Sequence, residues 1–462
     1  MEATIPDLIR RHDVPGPRYT SYPTAVSFHE GFGEADYRER LARADESGDA
    51  PLSLYVHLPF CAARCLYCGC NVVISPRRSV SGPYLDQLLR ELDLLAAALP
   101  RRRSLSQMQW GGGTPTYYPV SDLVRLFGAV GERFTFTDDA EIGIEVDPRV
   151  TSGEQIDALA GLGFNRLSAG VQDFAPEVQA AIGRVQSEEE TRALVERARA
   201  AGFRSINLDL IHGLPQQSAA GFARTLEQVL ALRPDRVAVY SFAYVPWLKG
   251  HMRRIDPGTL PSPGLKLELL ALAWEAFTGA GYRAIGMDHF ALPDDDMARA
   301  AESGTLSRNF MGYTVQSASD LVGLGISAIG DVAGAYVQNV KKLSDYAQAL
   351  AAGRFPVERG YALDADDQVR RFVIGEIMCN ARLDFAEVER RFGGVFERDF
   401  AAELGALAAP GGPMADGLLE RTADGIALTP RGRPFVRIVA MAFDRHLGAV
   451  NAGAKPVFSR TV

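Results

Sequence analysis

Residues 55–71 read YVHLPFCAARCLYCGCN, and the fold and the chemistry both turn on this stretch. Four of the five cysteines, Cys61, Cys65, Cys68 and Cys70, crowd into it. One loop can therefore bring several sulfurs to a common centre. Thiolates packed this closely suit a soft metal or an iron–sulfur cluster, because the metal stabilises the deprotonated sulfur. The run Leu52–Leu58 ahead of them reads as a buried strand that Pro59 ends. A strand feeding a ligand loop is where α/β enzymes place their chemistry.

Three ligand chemistries compete for these sulfurs. A structural zinc takes four ligands, usually from two C-x2-4-C knuckles separated by a longer linker. Here there is one short loop, no second knuckle and no nearby H-x3-5-H. A disulfide pair is disfavoured because the N-terminus carries no secretory pattern. The third reading is a [4Fe–4S] cluster held by only three of the cysteines, leaving one iron open. The remaining Cys379 lies in an apolar, helix-like run and reads as a small buried hydrophobe.

The chain has 462 residues, which suggests one large and one smaller unit, and its 47% hydrophobic content allows a substantial core. A net charge of −8 argues against nucleic acid or an anionic membrane as partner. No apolar stretch reaches membrane-spanning length free of charges, so a soluble, cytoplasmic chain is expected.

From 52 to about 290, short apolar runs alternate with longer amphipathic ones. The strand-like runs are Leu52–Leu58, 108–110, 141–146, 166–171, 205–210 and Arg236–Ser241; helix-like segments at 84–99, 121–133, 187–201 and 222–232 separate them. Gly163 and Gly202 stand where helices end. Six β–α units imply a parallel sheet with helices outside, because parallel strands need crossover connections. The expected fold is α/β, a partial (β/α)6 TIM-like barrel.

Polar and glycine residues recur at one end of these strands, where such barrels gather their chemistry. After the second run comes Gly111-Gly112-Gly113-Thr114-Pro115-Thr116, where missing side chains let backbone approach a ligand. The third run ends in Glu145-Val146-Asp147, the fourth in Gln172-Asp173, the fifth in Asp209 with His212, the sixth in Tyr240 through Ala243. Neither GGGTPT nor the glycine-rich segment 321–330 fits a Walker A loop or a dinucleotide fingerprint. Close backbone packing is the plain role for both.

Residues 15–24, PGPRYTSYPT, read as an extended, irregular arm, because proline fixes φ and removes a donor. Composition alone makes it a surface leader. Toward the other terminus, 364–380 and 384–392 read as capped helices, 417–421 and Gly425–Leu428 as a small hairpin, and about 430–447 as a further helix. The expected organisation is an N-terminal arm (1–50), a barrel with extension (51–355) and a small, mainly helical, winged-helix-like lid (356–462).

Cys61-x3-Cys65-x2-Cys68, with the aromatic Tyr67 just before the last cysteine, resembles the signature of the radical S-adenosylmethionine (SAM) enzymes. The added Gly69-Cys70-Asn71, the arm PRYTSYPT, the segments at 284–290 and 306–313 and the tail Phe458-Ser459-Arg460 resemble one branch of them, the oxygen-independent coproporphyrinogen III oxidases of haem synthesis. The resemblance implies that Cys61, Cys65 and Cys68 hold a [4Fe–4S] cluster and that the open iron chelates one SAM. Tyr55, Gly112, Glu145 and Ile329 match positions contacting this first SAM. Tyr67, Gly113, Thr114, Gln172, Arg184, Asp209 and Ala243 match contacts of a second. It further implies two rounds of hydrogen abstraction and CO2 loss that turn propionates of coproporphyrinogen III into the vinyl groups of protoporphyrinogen IX. Cys70 is expected to act in turnover and not as a ligand. Arg308, with Arg18, is a candidate to pair substrate propionates. His57, His212 and His289 share no metal-ligand spacing and are expected to serve as core or hydrogen-bonding groups. The implied partners are the tetrapyrrole and an electron donor such as flavodoxin or ferredoxin, and the chain is expected to be a monomer. Related haem-binding chaperones and radical SAM tetrapyrrole methyltransferases are the alternatives.

Overall fold

The computed structural model describes residues 5–316, 318–448 and 458–461. Six strands run parallel in chain order: β1 (Leu52–Leu58), β2 (Ser104–Gly112), β3 (Thr135–Val146), β4 (Arg166–Gln172), β5 (Ser205–His212) and β6 (Arg236–Ser241). A seventh parallel strand, β7 (Leu321–Leu324), lies on the far side of β1. Antiparallel strands then extend both flanks, Ile329–Val332, Ala335–Asn339 and Val357–Ala362 beyond β7, and His289–Ala291 and Arg283–Ile285 beyond β6. The outermost strands do not pair with each other, so the barrel is open. The six expected β–α units are present, each strand longer than or equal to its apolar run.

Local chemistry sets the helix limits. Ser187 and Glu190 form a capping box that starts Glu188–Ala201, and Gly202, at φ 96°, ends it in the left-handed conformation that costs glycine nothing. Ser152 and Gln155 start Gly153–Gly161 in the same way. Strand β1 is buried at six of its seven positions, and Trp110 is wholly enclosed against Phe164 at 4.8 Å between ring centroids.

The glycine-rich segment at 321–330 is β7 and its turn into Ile329–Val332. A Cβ on Gly323 would come within 2.9 Å of the Ile329 carbonyl, so close backbone packing is its role. Fully buried Arg102 ties this region to the N-terminal one. It donates to the Ala44, Ala50 and Pro51 carbonyls and pairs with Asp320 just ahead of β7.

The arm is not a surface leader. Tyr19 and Tyr22 are buried in a second core shared with Val373, Ile377, Phe396 and Phe443. Gly16 and Ser459 are joined by a 3.0 Å backbone hydrogen bond, and the buried Arg437 guanidinium donates to the Pro17 carbonyl at 2.8 Å. A distant arginine and the chain's own tail thus satisfy the backbone that the prolines leave unpaired. Ala365–Asn380 starts at an Asp364–Asp367 capping box, and Phe385–Phe392 follows. The hairpin Leu419–Arg421 and Gly425–Leu428 gains a third strand, Arg382–Asp384, and the helix expected over about 430–447 is a 3-10 segment at Pro430–Phe435 followed by six α-helical residues, Val436–Met441.

Candidate active site

The carboxyl ends of β1 to β6 surround a cavity of about 430 Å3. Cys61, Cys65, Cys68 and Cys70 line it, as do Tyr67, Gly112, Gly113, Thr114, Glu145, Gln172, Arg184 and Asp209. Of the residues matched to the cluster and the two SAM molecules, all but Tyr55, Ala243 and Ile329 therefore line one cavity. Tyr55 stands just below, its hydroxyl donating to Nδ1 of His57 at 3.1 Å. Because Nε2 of that ring faces the Asn71 carbonyl at 3.0 Å, it carries the proton, and the neutral imidazole ties β1 to the end of the cysteine loop. Burial pulls the His57 pKa down to about 4, which keeps it neutral. Ala243 and Ile329 do not line the cavity; Ile329 packs with Phe28 and Tyr336. His212 donates to the Lys266 carbonyl, and His289 bonds Asp288, so all three histidines have structural partners.

The glycines fit because nothing larger would. A Cβ on Gly113 would sit 2.5 Å from the Pro59 carbonyl, and one on Gly112, at φ 113°, would strike the His57 ring. Their backbones are pinned to the cysteine loop, Gly113 N to Leu58 O and Thr114 N to Phe60 O, both 2.9 Å. Thr114 Oγ1 also lies 3.3 Å from Cys61 Sγ.

Charge is distributed in two groups. Glu145 accepts from Gly112 N at 3.2 Å, and removal from bulk water, with Asp209 nearby, raises its carboxyl to about 7. Asp209 accepts from Asn207 at 2.7 Å and Ser168 at 3.2 Å. The second group is cationic and lies against sulfur. Arg184 and Arg149 place nitrogens 3.9 and 3.8 Å from Cys65 Sγ. Asp147 gives Arg184 a bidentate carboxylate, at 3.0 and 3.2 Å. Burial alone would raise the Asp147 carboxyl, but the Arg149 hydrogen bond and the Arg184 charge hold it below the usual carboxylate range. Nε of Arg184 is buried with no hydrogen-bond partner.

Sequence reasoning passed over Asp147 as a ligand-shaping group and missed Arg149 altogether. It also missed the hub beneath Gln172. That residue holds φ at 69°, a costly conformation for a side-chain-bearing residue, and buried Asp173 fixes it by accepting from Ala175 N, Thr225 and Gln217. His251 was missed too; it donates to the Cys68 carbonyl at 2.9 Å.

The donor set suits an iron–sulfur cluster. Burial pushes the Cys61 thiol up to about 11, a cost that iron coordination removes, while a hydrogen bond with the Cys70 thiol brings Cys68 down to about 6. Among the described residues, no three His, Cys, Asp or Glu side chains converge on a single-ion site. A further cavity, of about 610 Å3, opens between the arm, the hairpin carrying Arg308 and the helix Ala365–Asn380. The C-terminal segment expected as a lid faces this second space; none of its described residues lines the cysteine cavity.

Residues 55–229 match the radical SAM superfamily model, and 363–435 match the HemN C-terminal domain. The oxygen-independent coproporphyrinogen III oxidase of Pseudomonas aeruginosa is 47% identical, covering 99% of this chain and 98% of its own. That of Escherichia coli is 45% identical, with 95% of each chain covered. The solved structure of Escherichia coli coproporphyrinogen III oxidase (HemN), a radical SAM enzyme, superposes with a TM-score of 0.88 over 93% of this chain and 97% of its own, at 44% identity. With relatives this similar along its whole length, the chain belongs to the oxygen-independent coproporphyrinogen III oxidases of the radical SAM superfamily.

Proposed function

We propose that Cys61, Cys65 and Cys68 hold a [4Fe–4S] cluster in this cavity, that two SAM molecules bind beside it, and that the enzyme oxidatively decarboxylates two propionates of coproporphyrinogen III to give protoporphyrinogen IX. The observation that carries this reading is the meeting of three sulfurs, two carboxylates and the Gly112–Gly113 backbone in one cavity at the carboxyl ends of the strands. When bound, the cluster and SAM supply a carbon radical strong enough to take a hydrogen atom from a propionate side chain.

The protein's own part is orientation. Tyr55, Glu145 and Gly112 would seat the first SAM, with Glu145 as acceptor for its amine. Ile329 stands apart from this cavity. Tyr67, Gly113, Thr114, Gln172, Arg184 and Asp209 would seat the second, while Ala243 lies outside the cavity lining. Tyr67 offers a ring face, Asp209 two acceptor oxygens and Arg184 its unpartnered Nε. Arg308 stacks 4.6 Å over Tyr313 and keeps a buried, unpartnered Nε, a donor suited to a propionate carboxylate. Arg18 and Asp288 share its electrostatic environment. The C-terminal residues, 356–462, would shelter the tetrapyrrole by closing the second cavity.

A flavodoxin- or ferredoxin-type protein would supply the electrons, and the chain would act as a cytoplasmic monomer. Among the described residues no helix is long and apolar enough to cross a membrane. The test is an anaerobic incubation with coproporphyrinogen III, SAM and reductant. Protoporphyrin formation supports the assignment; haem retention without turnover, or a methylated tetrapyrrole, replaces it.

A further inference from the structure

The segment 247–254, WLKGHMRR, lies directly against the cysteine loop. His251 Nε2 donates to the Cys68 carbonyl at 2.9 Å and Lys249 Nζ to the Cys70 carbonyl at 3.4 Å. Met252 packs in one apolar cluster with Leu66, so the two segments share a core. Yet Trp247 and Leu248, next to these clamps, are 43% and 62% exposed. Arg253 and Arg254 are exposed beside them, and Arg64, half-buried in the cysteine loop, and Lys249 both act electrostatically on Cys68.

The charge here opposes that of the whole. The chain carries 57 acidic against 49 basic residues, yet no Asp or Glu occurs from 51 to 85 or from 236 to 255. An apolar tip flanked by cations, on a segment that His251 bonds to the Cys68 carbonyl, is the surface a weak electron-transfer encounter needs: small, transient and steered by charge.

We propose that Trp247 and Leu248, with Lys249, Arg253, Arg254 and Arg64 around them, form the docking surface for a small acidic one-electron carrier of the flavodoxin type. This rests on the reading above that such a protein is the donor. One electron leaves the carrier's reduced flavin and enters the cluster, and no atom crosses the interface.

The test uses cluster-loaded protein, oxidised flavodoxin as the binding probe and reduced flavodoxin or dithionite as reductant. Arg253→Glu with Arg254→Glu is expected to lower flavodoxin affinity and the rate of cluster reduction by flavodoxin at least about tenfold, and to flatten the salt dependence of binding. Leu248→Ser lowers affinity without changing the salt slope. Iron content and the rate with dithionite stay at wild-type values in both. Wild-type affinity and reduction by flavodoxin in both variants would overturn the surface and leave the donor reading standing. A wild-type protein that flavodoxin neither binds nor reduces overturns the donor reading and the surface with it.

Discussion

Arg184 holds Asp147 through two bonds, at 3.0 and 3.2 Å, while its Nη1 lies 3.9 Å from the sulfur of Cys65. Nη2 also donates to the Gly170 carbonyl and to Gln186. One guanidinium thus joins the ends of β3 and β4 to a proposed cluster ligand. The planar fork makes this possible, since its donors reach several acceptors at once without strain.

Arg184→Lys keeps the charge but cannot serve all of these acceptors, so it separates electrostatics from geometry. Losing charged hydrogen bonds worth about 1.5–3 kcal/mol should weaken SAM binding roughly tenfold or more. Iron and sulfide content should stay near wild type, because the cysteines are untouched. Equilibrium SAM binding to the reconstituted protein checks it. Unchanged affinity would mean that Arg184 only braces Asp147.

Glu91 carries the clearest pH dependence. Its carboxyl is 2% exposed and accepts from Gly325 N at 2.7 Å, Tyr346 at 2.6 Å and Asn339 at 2.6 Å. Burial nevertheless raises it to about 7. A carboxyl that holds its proton more tightly folded than unfolded favours the folded state at low pH. That advantage fades as pH rises from about 4.5, where the unfolded chain ionises, and is gone above about 7. A shift of this size corresponds to about 3 kcal/mol. Against Glu91→Gln, which does not titrate, the wild type should lose stability by up to that amount across this window and stay level above it. Thermal midpoints of both proteins at pH 5 and 8 measure the difference.

Six strands and most of the cavity wall were legible because their signals are local. Apolar runs of strand length ended in polar or glycine residues, and capping pairs such as Ser187–Glu190 sit beside each other in sequence. β7 was hidden because it has four residues, one of them Gly323, and its partner β1 lies far away in the chain. The burial of Tyr19 and Tyr22 was invisible for a similar reason: what covers them comes from 373–443, and prolines mimic a surface segment. Helix Gly153–Gly161 was read only from its end at Gly163, although its Ser152–Gln155 box was in plain view. Arg149, His251 and Asp173 act through loop geometry, which no periodicity encodes.

Arg102 offers a test of the long-range tie between the N-terminal segment and β7. Its side chain is wholly buried, paired to Asp320 and bonded to three backbone carbonyls. Arg102→Met fits the volume but strands a buried carboxylate and three acceptors, so a loss of about 3–5 kcal/mol is expected. Denaturant unfolding should show a lower midpoint. Adding Asp320→Asn should recover part of the loss, since it removes the stranded charge.

Cys70 differs from its three neighbours in ways that bear on its role. It is exposed to the cavity, and the hydrogen bond it shares with Cys68 pushes its own pKa well above the usual thiol value. A thiol bonded to the Cys68 sulfur and open to the cavity suits a group that gives or relays hydrogen. Cys70→Ser keeps a donor in place for the Cys68 sulfur, so the support for that ligand survives. Iron, sulfide and SAM binding should match wild type, while protoporphyrin formation falls about a hundredfold, the scale expected when a positioned proton donor is replaced by a far weaker acid. Cys61→Ser, Cys65→Ser and Cys68→Ser should each lose iron instead. A Cys70→Ser protein that comes out iron-depleted would move the ligand set to 65, 68 and 70 and leave Cys61, with its thiol raised to about 11, as the bystander.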